Sequence, residues 1–233
     1  MNKLQNQEYP KYVQPDNENL FSIVLEHVPE ILRSQSVLDY GCNTGRLLKQ
    51  SNGQLDEIRY TGIDSNLASI DLARTQFTKA TFHHINYYNC AFSNTNRLKE
   101  LPIIETKFDV VVCYGVLMHC TIEDVQKILD FCTSKTKKVL IFSLWEKFQI
   151  PLYRRFLSTA YGVKVDKPLT DTDYAVYLTN RRSWINSNSF KEQNLSWFES
   201  FVENNFIERR YPNAVRLISK KSKQLHSIFK IEL

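Results

Sequence analysis

Residues 37–47 read Val37-Leu38-Asp39-Tyr40-Gly41-Cys42-Asn43-Thr44-Gly45-Arg46-Leu47. The apolar run at the start predicts a buried strand, and the glycine that ends it predicts a turn. Gly41 permits a sharp turn at the end of the strand, and Gly45 lets a ligand lie against the backbone. A helix that follows such a turn presents unpaired N–H groups to the ligand. The segment therefore predicts a strand, a turn and a helix start that together bind a small molecule.

Two common nucleotide-binding patterns do not fit this turn. A NAD fingerprint needs glycine at the first, third and sixth positions, which here are Gly41, Asn43 and Arg46. The Gly-Lys-Ser/Thr sequence of a phosphate-binding loop is absent as well. The sequence thus argues against both a pyrophosphate-binding dehydrogenase and a nucleoside triphosphatase.

Strands and helices alternate on either side of this segment. We predict strands at residues 36–40, 60–64, 81–85, 108–113 and 138–145, and helices at residues 20–32, 44–50, 67–78 and 122–131. Asp16 or Asn17 would cap the first helix, which must accommodate Pro29. Strands separated by helical segments imply crossover connections, and hence a parallel sheet with helices on both faces.

The C-terminal part departs from this alternation. Residues 195–204 have a helical pattern, and residues 206–211 and 214–220 are predicted as two strands that meet in a tight hairpin at Pro212-Asn213. We divide the chain into an N-terminal arm and helix (1–34), a ligand-binding core (35–146), an insertion or lid (147–190), and a final helix, hairpin and basic tail (191–233) that complete the same domain.

Composition excludes several classes of protein. The 233 residues are 42% hydrophobic and 12% aromatic, which is ample for a packed core and argues against intrinsic disorder. No apolar run approaches the roughly 18 residues of a membrane span, and residues 1–8 lack the apolar stretch of a secretory signal. The five cysteines are irregularly spaced, which favours reduced thiols and a cytoplasmic location.

The turn at residues 39–45 resembles the first motif of class I S-adenosylmethionine-dependent methyltransferases, Asp-x-Gly-x-Gly-x-Gly. Asp39, Gly41 and Gly45 match it, and Asn43 stands at the middle glycine. Asp64 follows Asp39 by 25 residues, and the resemblance implies that its carboxylate binds the ribose hydroxyls. Residues 108–119 resemble the Phe-Asp-x-Val-x-x-x-x-Val-Leu-x-His segment of the same family. The resemblance covers roughly residues 30–146.

This resemblance implies an α/β, Rossmann-like, doubly wound fold. The expected sheet has seven mostly parallel strands and an antiparallel C-terminal hairpin strand. The implied cofactor is S-adenosylmethionine, with Asn86-Tyr87 at the positions that contact its adenine. The cofactor-binding residues expected on this basis are Asp39, Tyr40, Gly41, Asn43, Gly45, Asp64, Ser65, Asn86, Tyr87, Cys113 and Tyr114.

Two side chains near the end of the fourth strand are candidates for catalysis. His119 is the first candidate for a general base, because an oxygen acceptor must lose a proton during methyl transfer. Tyr114 is the second, and with Cys113 it could line the methyl site; a packing role stays open for all three. We interpret His83-His84 as one packed and one solvated side chain. No Cys-x-x-Cys or His-x-x-x-His pattern is present, so we expect no metal, although a magnesium-assisted acceptor site stays open.

The acceptor is expected to contact the insertion. Its Tyr153, Tyr177 and Trp184 could wall a pocket, while Arg154 and Arg181 could pair with a carboxylate or phosphate. We therefore expect methyl transfer to an oxygen, with a nitrogen as the second choice, of a small molecule such as one in a biosynthetic pathway. If the two arginines pair with this molecule, it is anionic. No feature of the sequence indicates an oligomeric state or a membrane partner.

The charge distribution leaves two alternatives open. Residues 1–146 carry 15 basic and 17 acidic side chains, whereas residues 147–233 carry 15 and 8, so the basic excess lies in the C-terminal third. Such an excess suits an RNA, for example a tRNA methyltransferase, although no RNA-binding module is recognisable. The other alternative is a module that binds the cofactor without catalysis, since fold does not fix function.

Overall fold

A computed structural model of the chain describes residues 19–85, 106–117, 122–144, 146, 205–217 and 227–233. The described residues form one seven-stranded sheet with helices packed on it. The strands are β1 (Ser36–Tyr40), β2 (Arg59–Asp64), β3 (Thr81–His84), β4 (Phe108–Cys113), β5 (Thr136–Leu144), β6 (Val215–Leu217) and β7 (Ser227–Glu232).

The order of the strands is β3-β2-β1-β4-β5-β7-β6. The first five strands in this order are parallel, β7 is antiparallel to β5, and β6 is antiparallel to β7. The chain starts at the centre of the sheet with β1, builds outward to β3, and then crosses back to β4. This is the predicted Rossmann-like α/β fold, and its order reverses beside β1, where open sheets of this kind bind their ligands.

The described helices are α1 (Leu20–His27), α2 (Arg46–Ser51), α3 (Leu67–Gln76), α4 (Ile122–Lys135) and α5 (Phe206–Arg210), with a 3₁₀ helix at Pro29–Arg33. Asparagine side chains cap two of them: Asn19 accepts from the Ser22 N–H at 2.9 Å, and Asn66 accepts from the Ser69 N–H at 3.1 Å. Within the described part of the chain, none of these helices is long and apolar enough to cross a membrane.

The prediction of one helix over residues 20–32 was wrong. The α-helix ends at His27, and Pro29 begins a separate 3₁₀ helix. Proline has no N–H to donate and its ring clashes with the preceding turn, so it is tolerated only where a helix begins. The cap is Asn19 rather than Asp16 or Asn17.

We predicted an antiparallel pair of strands near the C-terminus, and the structure has one, but one of its two strands is not the strand that we predicted. Residues 206–210, predicted as a strand, form α5, which buries Ile207 and leaves charged side chains outward. The hairpin pairs β6 with β7, and β7 lies in the segment that we predicted to be a basic tail. In β7, Ile228, Phe229 and Ile231 are buried, because this strand continues the sheet beside β5. The predicted helix at residues 195–204 lies outside the described residues.

Apolar side chains cover both faces of the central strands. In β4, Val110 and Val112 join the hydrophobic cluster on one face, while Val111 and Cys113 join the cluster on the other. Alternate residues of a strand point to opposite faces, so a continuous apolar run produces a strand that is buried on both sides. The described cysteines, Cys42, Cys113 and Cys132, are all buried, and no disulfide joins any two of them.

Asp109 fixes the start of β4 against its neighbour β1. Its carboxylate accepts from the Gln35 N–H at 2.7 Å, and its own N–H donates to the Ser36 hydroxyl at 3.0 Å. Burial alone would raise the pKa of Asp109, but the Gln35 hydrogen bond and the nearby Lys138 ammonium lower it below the ordinary value. The acid is thus held ionised at the end of the sheet opposite to the glycine turn.

A buried ion pair joins the end of β5 to the hairpin. Glu146 is fully buried, and both of its carboxylate oxygens accept from the guanidinium of Arg216 on β6. The Ser227 hydroxyl donates to the same carboxylate. Arg216 also pairs with Glu208 of α5 at 2.7 Å, and its guanidinium carbon lies 4.8 Å from the centre of the Phe229 ring. The hydrogen bonds that Arg216 donates to both carboxylates raise the pKa of its guanidinium, so its charge is permanent.

We expect Arg216→Met to lower the free energy of unfolding by about 3–5 kcal/mol, because Glu146 would stay buried without its cation. Arg210→Met is the matched control, expected to cost about 0–1 kcal/mol. Both arginines pair with a carboxylate and are equally exposed, at 35% and 34%, but the partner of Arg210, Asp130, is 59% exposed whereas Glu146 is at 0%. Urea unfolding of the two variants would measure the difference, and equal losses would contradict it.

Candidate active site

The carboxyl ends of β1 and β2 lie side by side and carry the predicted turn. In their parallel register Asp39 faces Gly62 and Tyr40 faces Ile63. The Ile63 carbonyl accepts from the N–H groups of Gly41, at 2.7 Å, and of Cys42, at 3.1 Å. These bonds extend the sheet into the turn, so the turn and the residue that ends β2 share one edge of the sheet.

Three residues of the turn have left-handed backbone conformations. Gly41, Asn43 and Gly45 have φ angles of 84°, 50° and 78°. Asparagine is one of the few residues other than glycine that adopts this conformation readily. The Asn43 side chain also accepts from the Thr44 N–H at 2.7 Å, which stabilises the turn. Asn43 therefore adopts a left-handed conformation that a glycine at this position would also permit.

Glycine is required at residue 45 for a second reason. A Cβ atom at this position would lie 2.7 Å from the ring of Phe77, which packs beneath the turn at the end of α3. Gly45 immediately precedes α2, whose first N–H groups have no partner within the helix. The close packing of Phe77 thus brings the start of α2 against the edge of the sheet.

Asp64 ties the turn to the start of α3. One carboxylate oxygen accepts from the Asn43 N–H at 2.8 Å, and the other accepts from the Asn66 N–H at 2.8 Å. Burial raises the pKa of Asp64, while these backbone hydrogen bonds and, to a smaller extent, the His84 imidazole oppose the rise. The Ser65 backbone adds a further hydrogen bond, and a carboxylate with about four acceptor sites can still accept from a ligand hydroxyl. The side chain therefore fits the ribose role that the sequence resemblance implies.

Asp39 lies in the core beneath the same turn. It is 2% exposed, and its carboxylate accepts from the Tyr60 hydroxyl at 2.5 Å. Burial raises its pKa to about 7; the Tyr60 hydrogen bond and the charge of Arg46 oppose this rise, and the charge of Asp64 adds to it. The structure thus brings the two predicted acids together at one end of the sheet.

The other predicted residues near the strand ends are placed as follows. The Tyr40 side chain is fully buried in the core and packs against Phe131, with 5.8 Å between ring centres, so it belongs to the layer under α4. Cys113, at the end of β4, is also fully buried, and Tyr114 beyond it is 6% exposed. Ser65 directly follows Asp64.

The remaining predicted residues lie outside the described residues. These are Asn86, Tyr87, His119, Tyr153, Arg154, Tyr177, Arg181 and Trp184. Among the residues that the structure does describe, no group of three histidine, cysteine, aspartate or glutamate side chains is arranged to hold a metal ion.

The prediction of one packed and one solvated histidine agrees with the structure, since His83 is half-buried and His84 is exposed. His84 also lies close to Asp64. It pairs with Asp64 in the register of β2 and β3, and its Nε2–H donates to the Ser65 carbonyl at 3.0 Å. The imidazole therefore lies at the same sheet edge as the candidate ribose carboxylate. No sequence signal could have placed it there, because the neighbour depends on the pairing of two strands.

The match to known proteins agrees with this geometry. Residues 38–138 match a family model that is described as a methyltransferase domain. The match covers 101 of the 233 residues and identifies this segment as similar to a methyltransferase domain. The matched segment contains the last three residues of β1, the glycine turn, Asp64 and the strands β2 to β4. No curated protein matches the sequence.

Several solved structures share the fold of this methyltransferase domain. The plantazolicin methyltransferase BpumL, in complex with a pentazolic desmethylPZN analog and SAH, is 13% identical, with a TM-score of 0.56 over 94% of this chain and 86% of that one. The plantazolicin methyltransferase BamL is 13% identical, with a TM-score of 0.51 over 92% and 85%. An O-methyltransferase family protein from Burkholderia thailandensis is 11% identical, with a TM-score of 0.51 over 90% and 54%.

The burial of Asp39 predicts a stability that depends on pH. An unfolded aspartate ionises near its ordinary pKa of 3.8, but the folded protein keeps Asp39 protonated up to about 7. The folded state therefore holds one more proton between these values, and its stability falls as pH rises through them. We expect Asp39→Asn, which can still accept from Tyr60, to remove this fall and to be about 2–4 kcal/mol more stable than the wild type at pH 8.

Urea unfolding between pH 4 and 8 would measure this gain. The matched control is Asp71→Asn, because Asp71 is exposed on α3 and pairs there with Arg74 at 3.1 Å. The control should follow the wild type at every pH. A stability difference for Asp39→Asn that does not grow with pH would contradict the expectation.

Proposed function

We propose that the chain transfers the methyl group of S-adenosylmethionine to an oxygen, or else a nitrogen, of a small-molecule acceptor. The observation that carries the proposal is the Asp64 carboxylate, which is bonded to the backbone of the left-handed turn and keeps lone pairs for a ribose. The methyltransferase domain match over residues 38–138 supports the reaction class. Two of the solved structures that share the fold were determined with SAH, which supports the choice of cofactor.

The residues of the turn fit this cofactor. Asp64 would accept from the ribose hydroxyls, and Gly41 and Gly45 would let the ligand approach the backbone. Asn86 and Tyr87 are proposed to contact the adenine. The cofactor supplies the methyl group as an electrophile, so the protein has to hold it, orient the acceptor and exclude water.

Proton removal is assigned to His119, which follows β4 in the sequence. The carboxyl end of β4 lies next to that of β1 in the sheet, so the chain leaves β4 on the cofactor side. An imidazole is a suitable base because its ordinary pKa is near neutrality. Among the candidates at this end of β4, Cys113 and Tyr114 are described by the structure, and Tyr114 stays the second candidate.

The acceptor class rests on the relatives and on residues of the insertion. The plantazolicin methyltransferases were solved with azolic desmethylPZN analogs, and another structure of the same fold is an O-methyltransferase family protein. These names favour a small organic acceptor. Arg154 and Arg181 are proposed to pair with an acidic group on it, while Tyr153, Tyr177 and Trp184 enclose its apolar part.

Ion pairs within the protein argue against the alternative of an RNA substrate. Arg210 is bonded to Asp130, Arg216 to Glu146, and Lys230 to Glu232. Each of these cations belongs to the basic C-terminal third and is already paired within the protein. A phosphate backbone would have to compete with those carboxylates.

We expect calorimetry to detect binding of S-adenosylmethionine, and Asp64→Ala to weaken it at least about tenfold, because two charge-assisted hydrogen bonds are lost. Asp71→Ala is the control, since Asp71 is an exposed aspartate on α3. Because Asp64 also holds the turn, circular dichroism should establish that the variant is folded. A wild type that gives no heat, or a folded Asp64→Ala with unchanged affinity, would rule out this reading of the site.

The base role of His119 makes a separate prediction. We expect His119→Ala to abolish formation of S-adenosylhomocysteine from an accepted substrate while leaving the affinity for S-adenosylmethionine within about twofold, since the imidazole would act on the acceptor only. Substrates would be sought in a panel of phenols, carboxylic acids and amines. Loss of both turnover and cofactor affinity would show that His119 supports the structure instead.

A further inference from the structure

Tyr60 and Asp39 form a buried pair beneath the glycine turn. Each is 2% exposed, and the Tyr60 hydroxyl donates to the Asp39 carboxylate at 2.5 Å. Tyr60 lies on β2 and Asp39 on the neighbouring strand β1, where it pairs with Gly62. The hydrogen bond therefore crosses between the two strands whose ends form the candidate active site.

The packing around Tyr60 leaves its hydroxyl little freedom. The ring contacts Phe82 of β3, with 5.9 Å between ring centres. The space over Gly62 is filled by Cys42 and Phe82, because a Cβ at Gly62 would lie 2.7 Å from an atom of each. Phe82 and Cys42 thus hold the phenol ring in place, and this position puts its oxygen within hydrogen-bond distance of Asp39.

Charged and titratable groups face Asp39 from several elements. Tyr60 and Asp64 approach from β2, Cys42 from the turn, and Arg46 from the start of α2. Burial and the negative Asp64 favour the neutral acid, whereas the Tyr60 hydroxyl and Arg46 favour the carboxylate. The opposing influences leave the pKa of Asp39 at about 7, where removal of a single donor changes its charge at neutral pH.

We propose that Tyr60 is a positioning residue of the cofactor site, whose hydroxyl holds the Asp39 carboxylate ionised and oriented beneath the turn. The proposal rests on the proposed use of S-adenosylmethionine. This cofactor carries positive charge on its sulfonium and ammonium groups, so a carboxylate under the turn attracts it, and a neutral acid does not. Tyr60 would act on the ligand only through Asp39.

Tyr60→Phe tests the proposal, because it removes the hydroxyl and keeps the ring. Without the donor, the pKa of Asp39 rises further, so a higher pH is needed to ionise it. We expect the Kd for S-adenosylmethionine to increase about tenfold relative to wild type at pH 7.5 and to return to within about threefold at pH 9. Comparison with the wild type at each pH cancels the titration of the ligand itself.

Two further variants separate the proposed role from a loss of packing. Tyr211→Phe is the matched control, since its hydroxyl lies 3.5 Å from the exposed Asp130, and its Kd should follow the wild type. In an Asp39→Asn background the added Tyr60→Phe change should alter Kd by less than about twofold, because an amide cannot ionise. Thermal unfolding of each variant would establish that it is folded.

Several outcomes would overturn the proposal. Tyr60→Phe with wild-type affinity at every pH would do so, and so would a weakening that is the same at pH 7.5 and 9 and persists in the Asp39→Asn background. If Tyr60→Phe does not fold, Asp39→Asn is compared with the wild type instead. The Kd of Asp39→Asn divided by the Kd of the wild type must then increase from pH 6 to pH 9, and a constant ratio would overturn the proposal. Absence of binding by the wild type would instead refute the proposed function itself.

Discussion

The candidate active site depends on one carboxylate, whose two oxygens accept hydrogen bonds from the backbone of two different segments. Asp64 accepts from the Asn43 N–H in the glycine turn and from the Asn66 N–H at the start of α3. Neither N–H belongs to a strand or to the interior of a helix, so both need a partner where little water reaches. A single acid at the end of β2 satisfies both. The turn, the start of α3 and any ligand held there therefore share one anchor.

The buried acids Glu146 and Asp39 differ in the charge of their hydrogen-bond partners. Where Glu146 joins β5 to the hairpin, Arg216 supplies a full positive charge at hydrogen-bonding distance. Beneath the turn, Asp39 accepts a hydrogen bond from the neutral phenol of Tyr60, and the charge of Arg46 makes a smaller contribution. The first arrangement holds the structure together, whereas the second leaves an acid whose ionisation costs stability. Such unrelieved burial is typical of functional sites, where stability is given up for binding or chemistry.

Much of the fold could be predicted from the sequence, but the site only in part. A continuous apolar run such as that of β4 predicts a strand that is buried on both faces. Asp39 and Asp64 were predicted from a sequence motif and from the distance between them along the chain. Residues 206–210 were misassigned because a short segment with one buried isoleucine satisfies a helix and a strand equally. Tyr60 and His84 carry no motif. Their neighbours are set by the register of β2 against β1 and β3, which a sequence pattern does not specify.

The same reasoning limits what net charge says about the acceptor. The formal charge of +5 comes from the C-terminal third, yet Arg210, Arg216 and Lys230 there are each bonded to a carboxylate of the protein. A cation used in this way contributes to the sum without offering a binding site. Net charge therefore does not identify the acceptor. The Gly115 N–H, just after β4, donates to the hydroxyl of Ser143 on β5 at 2.8 Å. This hydrogen bond joins the carboxyl ends of the two strands and so fixes the backbone from which the following residues continue.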